Sequence, residues 1–219
     1  MKSLFLSAAL SALAIGATAQ TTIAIAPEAG VNLSTLRTSI NGSKTTSSTN
    51  AGVRGGFNVN IGLGEQLAIQ PGLFYSQKGG KFEYSTAAGT ATYNATQEYS
   101  INYVEIPVNL VYHFNNNQSG FFLMAGAYAA AAVGGKAKFT SNAPGITGIN
   151  RSIEIGGDEM KDDIRRWDAG AQGGAGYQTA MGLFVRAQYI LGAMNINSHN
   201  NSADAMRNGA VGITIGYRL

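Results

Sequence analysis

The chain has no cysteine, only four prolines and few charges: 12% of its residues are Asp, Glu, Lys or Arg, against about 25% in an average soluble domain. Without Cys there is no disulfide framework, no thiolate metal site and no Cys nucleophile. The small excess of 15 basic over 12 acidic residues does not mark a nucleic-acid surface, so no nucleic-acid partner is expected. The sequence also lacks any apolar run of the ~20 residues a membrane-spanning helix needs. What it has in excess is glycine, 29 of 219 residues, nearly twice the usual ~7%. Low charge, high glycine and near-zero mean hydropathy together argue against a coiled coil or an ordinary helical enzyme.

The start reads as a secretory leader. Met1 and Lys2 precede an apolar stretch from Leu4 to Ile15, then Gly16, Ala17-Thr18-Ala19 and Gln20. A basic start, an apolar segment and small residues at −3 and −1 are the signature of a cleaved signal peptide. Residues 1–19 are therefore expected to be removed near Ala19-Gln20, leaving 20–219 as one domain. With no later apolar helix, residence in a membrane requires a barrel.

From there the dominant period is two. Val211, Ile213, Ile215, Tyr217 and Leu219 alternate with Gly212, Thr214, Gly216 and Arg218. Val104, Ile106, Val108, Leu110, Tyr112 and Phe114 alternate with Tyr103, Glu105, Asn109 and His113. Successive side chains of a strand point to opposite sheet faces, so such alternation predicts strands. About eight are expected, near 23–34, 52–63, 66–84, 97–114, 121–140, 165–178, 182–195 and 207–219. The connectors alternate between short (64–65, 115–120, 179–182) and long and polar (35–51, 85–96, 141–164, 196–206). That asymmetry is typical of outer-membrane barrels, with brief periplasmic turns and longer outer loops. The predicted fold is an all-β, eight-stranded antiparallel up-and-down transmembrane barrel. Pro27, Pro71 and Pro107 fall inside predicted strands, where each removes a ladder donor, and bulges are expected there.

Parity then assigns faces. Glu28, Arg54, Gln70, Lys78, Glu105, His113, Asp168, Arg186, Gln188 and Arg218 are expected to point into the lumen. Glu28, Arg54, Glu105, Asp168, Arg186 and Arg218 are candidates for a network of neutralising ion pairs, because an unpaired charge in so narrow an interior costs several kcal/mol. Phe74 and Phe184 share that parity and are expected to pack inside. Tyr75, Tyr112, Phe114, Trp167, Tyr177 and Tyr217 are candidates for the aromatic belts at the two membrane interfaces. Tyr84, Tyr99 and Phe121 are expected near them. The glycines of Gly170–Gly176 alternate within a strand and are read as clearance for neighbouring interior side chains rather than as a phosphate loop.

Two motifs carry a family resemblance: Gln70-Pro71-Gly72-Leu73-Phe74-Tyr75-Ser76-Gln77-Lys78-Gly79-Gly80 and Asn102-Tyr103-Val104-Glu105-Ile106-Pro107-Val108. They resemble those of the PorT-like, porin-family outer-membrane β-barrels of Bacteroidota. The resemblance implies a small eight-stranded barrel in the outer membrane, with a family association to secretion and gliding machinery. Leu219 stands where such barrels usually end in an aromatic.

Catalytic candidates are few. Only His113 and His199 exist, the latter within Ser198-His199-Asn200-Asn201-Ser202-Ala203-Asp204. No catalytic residue is assigned, since nucleophile, base and orienting group must meet in space. Asp158, Glu159, Asp162 and Asp163 lack the oxygen spacing of an EF-hand, so no metal site and no cofactor are expected. The segment 158–166 is read as a short helical turn. The expected role is structural, adhesive or secretion-accessory through the outer loops. The expected partners are outer-membrane lipid, the barrel-assembly machinery, and cell-envelope or secretion proteins. The alternatives are a narrow porin, an outer-membrane lipid-modifying enzyme, or a secreted soluble barrel.

Overall fold

The alternation read along the chain becomes a ring of strands in the computed structural model, which describes residues 22–40, 42–88, 91–156, 162–198 and 204–219. The leader, His199 and the pair Asp158 and Glu159 lie outside these residues. Eight long strands are β1 (Ile23–Ile40), β2 (Asn50–Gly62), β3 (Leu67–Ala88), β4 (Ala91–His113), β5 (Gly120–Ser141), β6 (Trp167–Gln178), β7 (Leu183–Gly192) and β8 (Ala205–Tyr217). Each pairs antiparallel with its neighbours in sequence. Pairing of β1 with β8, from Glu28↔Gly216 to Ser39↔Ala205, closes the ring. Closure leaves no free sheet edge around the ring, which is what permits a β-structure to sit in hydrocarbon.

The faces are inside out relative to a water-soluble barrel. Val31, Leu33, Ile106, Val108, Ile213 and Ile215 are exposed, while Asn32, Asn58, Glu105, Asn109 and Thr214 are buried in the lumen. Glycines of the inward parity face large lumenal side chains. A Cβ added to Gly170 would lie 2.9 Å from the ring of Tyr128, and one on Gly176 would press on the ring of Phe122.

The strand bounds differ from the sequence expectation on the outer side. Residues 85–96 are not a long loop: β3 and β4 stay paired to Ala88↔Ala91. Residues 35–51 continue β1 to Ile40, followed by a short strand, Ser43–Thr46, folded back on it. Within 141–164, Ile149–Ser152 adds a further strand to β5, and Ile155–Gly156 pairs with Ile164–Arg165. The described part of 158–166 is therefore extended rather than a helical turn. The described residues of 85–96 include Thr86, Thr92, Tyr93 and Thr96, none of them buried, so this stretch has strand propensity without apolar alternation.

The prolines also differ from expectation. Register runs unshifted past all three, and the ladder only omits pairs beside Pro71 and Pro107. The irregularity falls instead at Asn102/Tyr103. One missing N–H per proline is absorbed as a lost ladder bond, without an extra residue.

Candidate functional site: a closed lumen beneath an extracellular blade

The lumen is built by the inward parity of all eight strands. Among the described residues its buried charges are three acids and three bases, Glu28, Glu105, Asp168, Arg54, Lys78 and Arg186, each at most 4% exposed. Glu105 sits between two cations. Arg54 Nη1 contacts one carboxylate oxygen, and Lys78 Nζ lies 2.7 Å from the other. Arg54 also stacks over the Phe74 ring at 4.1 Å, and Lys78 lies 4.2 Å from the Tyr128 ring centre. Quadrupoles thus add to the carboxylate in holding both cations.

Nearer the periplasmic end, Arg186 pairs with Glu28 at 3.4 Å and donates to Gln70 Oε1 at 3.0 Å. Glu28 accepts further bonds from Asn58 Nδ2 and Thr214 Oγ1, each at 2.9 Å. Among the described residues Asp168 makes no ion pair; it accepts bonds from Tyr128 Oη at 3.1 Å and Asn208 Nδ2 at 2.9 Å. A low-dielectric interior makes such multiple pairing necessary, since a lone charge there is costly.

Both ends of the lumen are stopped. At the periplasmic end the turn after β4 places Asn117 and Gln118 in left-handed conformation (φ 61° and 51°), which turns Gln118 upward. Its Oε1 accepts from Asn60 Nδ2 at 2.6 Å and from Arg218 Nη1 at 3.0 Å. Its carbonyl accepts from Gln178 Nε2 at 2.7 Å. Arg218 therefore belongs to this lower latch and does not join the ion-paired network expected for it. His113 lies nearby against Phe122, ring centres 5.3 Å apart, and among the described residues neither ring nitrogen has a hydrogen-bond partner.

At the outer end an apolar stopper closes the barrel. Ile153, Ile164 and Ile196 leave the outer connectors and pack with Leu36, Ile101 and Ile190, all buried. Sequence reasoning missed these isoleucines: Ile164 stands alone among charged residues, and Ile153 and Ile196 each have a single apolar residue two positions away, Ile155 and Met194, too few to show a period.

Outside, Tyr75, Tyr112, Phe114, Trp167, Tyr177 and Tyr217 are all exposed on the outer face. Tyr112 packs edge-on to Phe114 at 5.5 Å, and Phe121 to Tyr177 at 5.0 Å. Tyr99 instead turns to the rim, edge-on to Phe82 at 6.4 Å. The walls are unequal in height. The ten residues of β7 rise about 25 Å at ~3.3 Å each and a ~40° tilt, which matches an apolar band. The 22 residues of β3 rise roughly 55 Å on the same arithmetic. β3, β4, β5 and the Ile149–Ser152 strand thus stand above the rim as a blade. Arg151 braces it, giving Asp163 two bonds of 2.6 Å; this carboxylate raises the already high pKa of Arg151. At the blade's foot a cavity of about 630 Å³ opens outward, walled by Thr38, Thr45, Phe82, Tyr84, Tyr99 and Met206.

A family model described as "Outer membrane protein beta-barrel domain" matches residues 18–198. The chain belongs to that family. It is accordingly a small outer-membrane β-barrel protein. No curated protein matches it in sequence. Among solved structures it is similar to Ail, the attachment invasion locus protein of Yersinia pestis, at 12% identity and TM-score 0.47, covering 90% of this chain and 99% of that one. It is similar to Neisserial surface protein A at 12% identity and TM-score 0.44, covering 90% and 97%. The N-terminal barrel domain of Pseudomonas aeruginosa OprF follows at 10% identity and TM-score 0.34, covering 87% and 97%.

Proposed function

We propose that this outer-membrane barrel is a non-conducting scaffold that presents the blade and the cup at its foot to a partner outside the cell. The observation that carries the reading is the stopped lumen: three buried acids face three buried bases, with the Gln118 latch below and the isoleucine stopper above. With the interior filled, the parts left for interaction are the outer strands and the aromatic-walled cup. The six exposed rings of outward parity, from Tyr75 to Tyr217, anchor the barrel at the two interfaces. Its partners are outer-membrane lipid around it, the barrel-assembly machinery during insertion, and an envelope or secretion protein at the blade. The Gln70–Gly80 and Asn102–Val108 motifs favour kinship with PorT-like barrels of Bacteroidota.

Two experiments test this. Purified protein in planar bilayers should give no steady conductance, whereas reproducible open channels would favour the narrow-porin alternative and end the scaffold reading. N-terminal sequencing of the protein from outer membranes should begin at Gln20; a start at Met1 removes the cleaved-leader reading.

A further inference from the structure

Arg37 of β1 and Arg207 of β8 are direct partners in the ladder that closes the barrel. Both point outward, because Leu36 and Asn208 beside them are buried in the lumen. Like charges directly opposite on one sheet face repel, and among the described residues neither arginine forms an ion pair with a carboxylate. Backbone carbonyls position them instead. Arg37 Nη2 donates to Asn208 O at 3.2 Å and Gly192 O at 3.4 Å, and Arg207 Nε donates to Ala193 O at 3.0 Å. Arg37 lies across Gly209, where a Cβ would stand 3.7 Å from its Nε. That Nε is buried and has no hydrogen-bond partner among the described residues. Neutral carbonyls orient two guanidinium groups here without cancelling their charge.

The height of the pair on the wall is informative. Val211, Ile213 and Ile215 of β8, Val31 and Leu33 of β1, and Leu191 of β7 form exposed apolar surface on the periplasmic side of it. Arg207 precedes the interfacial-type Tyr217 by ten positions. At about 3.3 Å per residue and a ~40° tilt, that is roughly 25 Å along the barrel axis, the height of an outer-membrane apolar band. The pair therefore stands at the outer margin of the hydrocarbon, at headgroup level.

We propose that Arg37 and Arg207 form a binding site for a phosphate group on a lipid of the outer leaflet. Guanidinium forks match phosphate oxygens two at a time, and a shared anion turns their mutual repulsion into attraction to one ligand. The proposal rests on the outer-membrane reading and gives the barrel one fixed lipid contact on its low-walled side, away from the blade.

The test is native mass spectrometry of the detergent-purified full chain with bis-phosphorylated lipid A or its dephosphorylated counterpart. The wild type should retain the phosphorylated lipid about tenfold better, the scale of a charge-assisted bidentate contact. The R37Q/R207Q variant should lose that preference, and R37K/R207K should keep part of it. Because Arg207 is exposed, R207Q alone gives a well-folded second variant and should lower the preference several-fold. Equal retention of both lipids by the wild type, or an undiminished preference in R37Q/R207Q, overturns the site. Complete competition by millimolar inorganic phosphate overturns the lipid assignment in favour of a free-anion site. Heat-dependent gel mobility of the wild type reports separately on the closed barrel, so loss of that shift points to failure of the membrane-barrel reading rather than of the arginine pair.

Discussion

Replacing Glu105 by leucine is expected to destabilise the barrel by about 3–5 kcal/mol, the cost of leaving a buried charge uncompensated. Glu105 is fully buried and, among the described residues, is the only carboxylate in ion-pair contact with Arg54 and Lys78. Leucine there strands two cations in a low-dielectric lumen. The cation–π contacts with Phe74 and Tyr128 supply only about 1–2 kcal/mol each in return. The measurement is urea unfolding in detergent, followed by the heat-dependent mobility shift on gels. A triple replacement, R54M/K78M/E105L, should recover most of the loss, because an apolar cluster of similar volume carries no desolvation penalty. An E105L barrel as stable as the wild type would show that the cations are solvated, and that the lumen is open to water.

The second large effect is steric and contrasts two adjacent glycines. On Gly56, of inward parity, a Cβ would come within 2.7 Å of Phe74 Cα and 2.8 Å of Phe74 Cδ1. Gly56→Leu must therefore spread β2 from β3 and push Phe74 off Arg54, for a cost of about 3 kcal/mol or more. On Gly55, of outward parity, the nearest atom is Glu28 O at 3.9 Å, and Gly55→Ala should change stability by less than about 0.5 kcal/mol. Adding Phe74→Ala to Gly56→Leu should restore stability only in part, because backbone as well as side chain crowds the site. Refolding yield into detergent micelles, read from the same gel shift, separates the two positions. Equal tolerance at Gly55 and Gly56 would mean the lumen has slack that close packing does not allow.

Much of this was legible because a barrel wall separates two environments at every residue step. Once parity was read, Glu28, Arg54, Lys78, Glu105, Asp168 and Arg186 could be placed together inside. The parity of Asn58, Asn60 and Asn208 was equally readable, although only the tertiary structure shows that they serve Glu28, Gln118 and Asp168. Gln118 carried no such signal. It lies in a turn, and its burial follows from two consecutive left-handed residues that no periodicity marks. Ile153, Ile164 and Ile196 were illegible for a related reason: one or two apolar residues in a polar stretch are too few to show a period, and their partners come from distant strands.

The outer connectors show the opposite error. Polarity makes residues 85–96 look like a loop, yet β3 and β4 stay paired up to Ala88↔Ala91. Polarity reports exposure to water, and a blade wet on both faces is as polar as a loop.

The alternating chain by itself determined an antiparallel up-and-down ring of about eight long strands and the two faces of its wall, because a two-residue period leaves each side chain only two faces to choose from. The pairing of Arg37 with Arg207, the clasp of Glu105 by two cations and the stoppers at both ends were decided only by the closed tertiary structure. Those contacts depend on the stagger between strands and on where turns and connectors fold back, and neither distance is written in the spacing of residues along one strand.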